Sequence, residues 1–65
     1  MKIDICFSSD NNYTLYMGTV ITSILKNSSE DEEFTFHIID GGIDDDNKNR
    51  ILKLKQIKDF NIKYY

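Results

Sequence analysis

The spacing of apolar residues along the chain alternates between the two-residue period of a strand and the 3.6-residue period of a helix. This alternation is the strongest constraint on the fold. Residues 3–7 alternate in the manner of a short strand, and residues 34–39 and 61–65 repeat that pattern. Between them, residues 13–27 and 44–58 carry apolar side chains at helical spacing. The sequence therefore predicts the element order β-α-β-α-β.

Strands separated by helices of this length pair in parallel through right-handed crossovers. We therefore predict an α/β fold, namely the β-α-β-α-β half of a doubly wound, Rossmann-like parallel sheet with strand order 3-2-1 and both helices on one face. Alternation turns one set of strand side chains towards the helices: Ile3, Ile5, Phe7, Phe34, Phe36, Ile38, Ile62 and Tyr64. The other set faces away from them: Asp4, Cys6, Thr35, His37, Ile39, Lys63 and Tyr65.

Each predicted helix has one apolar side. The first has a stripe that covers about half its circumference, formed by Tyr13, Tyr16, Met17, Val20, Ile21, Ile24 and Leu25. The second begins at Asp44 as the N-cap and runs to about Lys58, with Ile51, Leu54 and Ile57 on one side. These stripes predict two helices that lie flat on the sheet.

The composition excludes several classes of protein. One cysteine and one histidine among 65 residues allow neither an internal disulfide nor a structural zinc site. A net charge of −3 argues against a nucleic-acid partner, and no apolar run is long enough to span a membrane. The N-terminus has no secretory leader, which predicts a cytoplasmic location, with the inner face of the membrane as an alternative for a longer protein.

The predicted sheet leaves one face and the edge of its first strand uncovered. Parallel sheets are normally buried on both faces. We therefore expect residues 1–65 to be the N-terminal, incomplete part of a larger domain, and we expect the isolated chain to self-associate.

Polar residues collect where the first two strands end, and ligands of open parallel sheets bind at that edge. Residues 8–12 follow the first strand, and residues 40–42 follow the second. Neither the dinucleotide fingerprint G-x-G-x-x-G nor the phosphate-binding loop G-x-x-x-x-G-K-[ST] occurs in the chain.

The stretch Phe7-Ser8-Ser9-Asp10-Asn11-Asn12-Tyr13-Thr14-Leu15-Tyr16, together with Phe36-His37-Ile38-Ile39-Asp40-Gly41-Gly42-Ile43, resembles the opening of the family 8 retaining glycosyltransferases. These are the galactosyl- and glucosyltransferases of bacterial lipopolysaccharide, and they are similar to glycogenin. The resemblance covers essentially the whole chain but only the first part of such an enzyme, and it implies that residues 1–65 are the N-terminal, incomplete part of a nucleotide-sugar-binding glycosyltransferase domain. It implies a glycosyltransferase-A type domain that transfers a hexose from a UDP-hexose donor to a saccharide acceptor, in lipopolysaccharide or other surface glycan synthesis.

The resemblance also implies a UDP-binding set, which comprises Ser8, Asp10, Asn11, Asn12, Tyr13 and Thr14. Asp10 would accept from the uracil imide N–H, Tyr13 would stack on the base, Asn12 would bond the ribose or a uracil oxygen, and the Ser8 backbone would meet the base edge. The residues themselves allow another interpretation, in which Asp10 and Asn12 cap the first helix and Tyr13 is its first core residue.

No catalytic residue and no metal ligand is assigned within the chain. The family's Mn²⁺ or Mg²⁺ would be held by an Asp-x-Asp motif beyond Tyr65, whereas the run Asp44-Asp45-Asp46 opens a helix and is explained by capping. His37 is predicted to be a packed, hydrogen-bonded strand residue, and Cys6 a small buried hydrophobic residue.

A second function class stays open. The chain could be a small, non-catalytic α/β interaction module or a truncated remnant of the enzyme. A receiver-like phosphoacceptor domain is a weaker variant, because it would need paired acidic residues after the first strand and another Asp after the third.

Overall fold

A computed structural model describes all residues from Met1 to Tyr65. The predicted element order is confirmed, with one additional short helix. The elements are β1 (Lys2–Ser9), α1 (Thr14–Lys26), β2 (Glu33–Asp40), α2 (Asp45–Leu52), a 3₁₀ helix (Lys53–Gln56) and β3 (Asn61–Tyr64).

The three strands form one parallel sheet in the order β1-β2-β3. The predicted order of 3-2-1 is corrected accordingly. The predicted order assumes a doubly wound sheet, in which further strands lie beside β1 and the strands are counted towards them. The chain has no strand beside β1, so β1 is an outer strand of the sheet and the order is counted from it. The hydrogen-bonded neighbours are β1 with β2 and β2 with β3, and Phe36 pairs with Ile5 on one side and Ile62 on the other.

The core lies between the sheet and the two helices. Phe36, Ile38 and Ile21 are completely buried, and each such side chain contributes about 1.5–3 kcal/mol relative to an exposed one. The Phe36 ring contacts three aromatic rings, at centroid distances of 5.9 Å from Phe34, 6.1 Å from Phe7 and 5.2 Å from Phe60. All eight strand side chains predicted to face the helices belong to this core or pack against it, so that prediction is confirmed.

The buried side of α1 is narrower than the predicted stripe. Met17, Ile21 and Leu25 are buried in α1, whereas Tyr16 is 66% exposed. Tyr16 lies about 100° around the helix axis from Met17, which turns its ring away from the sheet. The sheet has only three strands and covers a correspondingly narrow side of the helix.

The second helix is shorter than predicted. It ends at Leu52 instead of Lys58, and Ile57 is 41% exposed instead of facing the core. The following 3₁₀ helix advances with three residues per turn, so the buried series continues from Ile51 through half-buried Leu54 to Phe60, which is 3% exposed. Phe60 takes the core position beside Phe36, and the chain then enters β3.

The other face of the sheet carries a polar side-chain group. The Nε2 atom of His37 lies 2.9 Å from Asp4 Oδ1, and its Nδ1 atom lies 2.7 Å from the Tyr65 hydroxyl, so His37 is hydrogen-bonded as predicted. Cys6 is exposed, and the prediction that it is buried is wrong, because no element of the chain covers this face. None of the helices is long and apolar enough to cross a membrane.

Candidate functional site

The loops after β1 and β2 meet at the carboxyl edge of the sheet. Ser9 and Asp40 are opposite each other at the last paired position, and the Gly41 N–H donates to the Ser9 carbonyl at 2.8 Å. A Cβ atom on Gly41 would lie 3.3 Å from that carbonyl oxygen, so a side chain here would push the two loops apart. Gly42 has a φ of +111°, which disfavours any residue with a side chain.

An open depression of about 320 Å³ lies at this edge. Its lining residues come from the end of β1, the loop that follows it, and the end of β2: Ser8, Ser9, Asp10, Tyr13, Ile39 and Gly41. Three of the six predicted UDP-binding residues, namely Ser8, Asp10 and Tyr13, are therefore brought together. Their contact with a nucleotide stays a prediction.

Asp10 holds the turn that leads into α1 and still has a free oxygen. Its Oδ1 atom accepts from the Tyr13 N–H at 2.9 Å, and its backbone carbonyl accepts from the Ser9 and Thr14 hydroxyls, each at 2.9 Å. The N-cap residue of α1 is Tyr13, and no side chain caps this helix, so the prediction that Asp10 and Asn12 cap it is wrong. The Asp10 Oδ2 atom has no hydrogen-bond partner within the chain and is left for a ligand.

Tyr13 is not a core residue, so that part of the capping interpretation is wrong. Its side chain is 61% exposed, and its ring centroid lies 5.6 Å from that of Tyr16 at an interplanar angle of 56°. The first buried side chain at this end of the helix is that of Thr14, which is 2% exposed. Tyr13 thus offers an aromatic surface at the rim of the depression.

The remaining predicted residues do not line the depression. Thr14 is buried and bonded to the Asp10 carbonyl, and Asn12 is exposed with no hydrogen bond from its side chain. The Asn11 side chain instead bonds to the start of α2, where it contacts Asp44 and Asn47. No local sequence pattern indicates this contact, because the partners are more than 30 residues apart.

Asp40 holds the turn between β2 and α2. Its Oδ1 atom accepts from the backbone N–H groups of Ile43 at 2.7 Å and Gly42 at 2.9 Å, and its Oδ2 atom lies 2.9 Å from Lys48 Nζ. The hydrogen bond from Ile43, followed by those from Lys48 and Gly42, lowers the pKa of Asp40 to about 2. The hydrogen bond to Asp40 in turn raises the pKa of Lys48, whose Nζ lies 4.7 Å from the centre of the Tyr64 ring.

The acidic run at residues 44–46 does not fit a metal site. Asp44 uses one carboxylate oxygen to cap the Asn47 N–H at 2.8 Å and the other to accept from Asn11 at 3.1 Å. No group of three or more His, Cys, Asp or Glu side chains in the chain is arranged to hold a metal ion. We therefore derive no chemical step through a metal bound to these residues.

A second groove, of about 340 Å³, runs between α1 and α2 on the outer side of the helices. It is lined by Leu15, Gly18, Arg50 and Leu54, among others, and none of its lining residues belongs to a strand. We place the candidate site at the strand ends because ligands of parallel sheets bind beyond the carboxyl ends of the strands.

Comparison with known proteins decides the family. The family model described as Glycosyl transferase family 8 matches residues 4–64, nearly the whole chain. The chain belongs to glycosyltransferase family 8. General stress protein A of Bacillus subtilis (strain 168) is 40% identical over 43 residues, which make up 66% of this chain and 15% of that protein. No solved structure matches the chain.

Membership of family 8 confirms the resemblance at the level of the family, but it does not distinguish the lipopolysaccharide type from the glycogenin-like type. The matched residues include both strand ends and the whole candidate site. The chain spans only a small part of the length of the Bacillus relative.

Proposed function

We propose that the chain is the nucleotide-binding part of a retaining glycosyltransferase that transfers a hexose from UDP-hexose to a saccharide acceptor, in lipopolysaccharide or other surface glycan synthesis. Family membership supports the reaction class. The observation that carries the binding role is the juxtaposition, at one sheet edge, of an unpaired Asp10 oxygen and the exposed ring of Tyr13.

The chemistry of these two side chains suits uracil. A carboxylate only accepts hydrogen bonds, and the uracil imide presents an N–H donor. The Tyr13 ring offers a face for the base, and stacking of a base on an aromatic side chain contributes about 1–3 kcal/mol. Ile39 adds an apolar surface to the same depression.

The size of the depression limits what these residues can hold. Complete ligand pockets have volumes of about 300–1,000 Å³, and a volume of about 320 Å³ lies at the small end of that range. We therefore assign the base and the ribose to this chain. The diphosphate, the hexose, the acceptor and a Mn²⁺ or Mg²⁺ ion would be bound by residues outside it.

The test is an NMR titration of the chain with UDP, using CDP as the matched control. Cytosine presents an acceptor where uracil presents the imide donor, so CDP should bind more weakly and should shift the amides of residues 8–13 less. In Asp10→Asn the amide oxygen can still accept the hydrogen bond from the Tyr13 N–H, and the amide NH₂ group takes the place of Oδ2. This variant should lose about 5- to 150-fold in affinity for UDP, because a donor replaces the acceptor that faces the base N–H, and its affinities for UDP and CDP should differ less than those of the wild type.

Two results would contradict the proposal. One is equal affinity for UDP and CDP in the wild-type chain. The other is the absence of amide shifts at residues 8–13 when UDP is added to saturation.

A further inference from the structure

We infer that Asn11, Asp44 and Asn47 form a positioning cluster that holds the loop after β1 in the geometry that binds the nucleotide. This inference rests on the proposed function, because it concerns the same loop. The three residues would not contact the ligand. They would act through Asn11, which lies between Asp10 and Tyr13 in the chain.

The hydrogen bonds of Asn11 connect the loop to α2. Its Nδ2 atom donates to Asp44 Oδ2 at 3.1 Å, and its Oδ1 atom accepts from the Asp44 backbone N–H at 3.0 Å and from Asn47 Nδ2 at 2.8 Å. The amide oxygen therefore uses both of its lone pairs. Three bonds to two residues fix the direction of the Asn11 side chain, and with it the backbone of the loop tip.

The anchor on α2 is itself held in place. The Asp44 Oδ1 atom caps the Asn47 N–H at 2.8 Å, and Ile51 buries the helix against the core. Asp40 bonds to both Ile43 and Lys48 and so ties the start of α2 to the end of β2. The cluster thus connects the loop after β1, whose residues 10–13 are all exposed, to a helix that the sheet and the core hold in place.

Without the cluster, hydrogen bonds would hold only the ends of this loop. The Gly41 N–H holds the Ser9 carbonyl at the end of β1, and the Ser9 and Thr14 hydroxyls donate to the Asp10 carbonyl. The bond between Asp10 and Tyr13 is internal to the loop, and the loop tip makes no other hydrogen bond to another element. A loop that is ordered before binding loses less conformational freedom on binding and so binds more tightly. The cluster should therefore strengthen nucleotide binding without contact to the nucleotide.

Two variants weaken the cluster while keeping the helix cap. Asn47→Ala removes the two bonds from the Asn47 side-chain amide to Asn11, at 2.8 Å to Oδ1 and 3.5 Å to the carbonyl oxygen. It leaves the backbone N–H of residue 47 capped, and alanine favours the helix interior. Asp44→Ser keeps a capping oxygen and removes the acceptor for Asn11. Asn49→Ala is the matched control, because Asn49 lies on the same helix, is exposed and makes no side-chain hydrogen bond.

The first measurement needs no ligand. Solvent exchange of the Tyr13 amide, measured by NMR, should be about two- to tenfold faster in Asn47→Ala and Asp44→Ser, as expected for the loss of one hydrogen bond. The amides of Ile21 and Phe36, in the core, should exchange as in the wild type, and Asn49→Ala should leave all of these rates unchanged. Unchanged Tyr13 exchange in both test variants would overturn the inference.

The second measurement is the affinity for UDP in the same variants. The dissociation constant should rise about two- to tenfold in both test variants and stay unchanged in Asn49→Ala. Wild-type affinity in both test variants would overturn the positioning inference and leave the proposed function standing. If the wild-type chain itself bound no UDP, the proposed function would be wrong, and the exchange of Tyr13 alone would decide whether the cluster orders the loop.

Discussion

At the scale of single residues, Asp10 shows how one side chain can make a structural contact and keep an atom free for a ligand. Its Oδ1 atom accepts from the Tyr13 N–H and its Oδ2 atom is free, so the structural bond and the proposed bond to the nucleotide use different atoms. The side chains of Asn11 and Thr14 have structural roles only, because all their hydrogen bonds are made within the protein. Neighbouring polar residues of one loop therefore have separate tasks.

Tyr13→Ala should lower the affinity for UDP by about 5- to 150-fold, because it removes a stacking surface worth about 1–3 kcal/mol. The Tyr13 side chain is 61% exposed, so the fold should be little affected. Tyr13→Phe keeps the ring and should bind UDP like the wild type.

Calorimetric or NMR titration of UDP into these variants measures the effect. Leu15→Ala is the control, since Leu15 is 77% exposed on the same helix and does not line the depression. If Tyr13→Ala remained folded and bound UDP as tightly as the wild type, the stacking role of Tyr13 would be refuted.

At the scale of elements, the turn between β2 and α2 depends on the charge of Asp40. Its carboxylate accepts from two backbone N–H groups and from Lys48, and so holds the start of α2 at the end of the sheet. Gly42 in this turn adopts a φ of +111°, which other residues resist. The orientation of α2, and of the positioning cluster on it, follows from this turn.

Asp40 should make the stability of the fold fall in acid. Its pKa is about 2 in the folded chain and 3.8 ordinarily, so between these values the unfolded state binds more protons. The contribution of Asp40 is therefore fully present above about pH 4 and is lost as the pH falls through about 2. The raised pKa of Lys48 leaves that side chain charged throughout this range.

The check is the thermal midpoint as a function of pH. Asp40→Asn should have a lower midpoint than the wild type at pH 7 and a shallower decline between pH 4 and 2. Asp46→Asn makes the same chemical change at an exposed residue of α2, the helix that follows this turn, and should preserve the wild-type slope. Equal slopes in wild type and Asp40→Asn would show that Asp40 does not contribute.

At the scale of the whole molecule, the helices cover one face of the sheet and leave the other exposed. Ile39 is 54% exposed and Tyr65 is 64% exposed on or beside that face, and Cys6 is exposed there as well. Both β1 and β3 also have a free edge. Open strand edges and uncovered apolar side chains favour pairing with another chain.

The isolated chain should therefore self-associate at high concentration, as measured by sedimentation velocity. Ile39→Lys places a charge on the uncovered face and should shift the chain towards the monomer. Ile57→Lys, which changes an exposed residue on the helical side, should associate like the wild type. A strictly monomeric wild-type chain at high concentration would contradict this prediction.

The features that depend on residues close together in the chain could be predicted from the sequence. The alternation in Ile3–Phe7 and Phe34–Ile38 correctly predicted which strand side chains face the helices, because side-chain direction in a strand follows from its period of two. The spacing of Met17, Ile21 and Leu25 predicted α1. The motifs after the first two strands indicated the family, because they are contiguous stretches of sequence.

Tertiary structure alone decided the features that depend on distant partners. The helix α2 stops at Leu52 because the core beside Phe36 is filled by Phe60, and local pattern does not reveal that competition. Cys6 is exposed because nothing covers its face of the sheet. Asn11 meets Asp44 and Asn47 only because parallel pairing brings the ends of β1 and β2 together, so that residues more than 30 positions apart become neighbours at the edge where the proposed ligand binds.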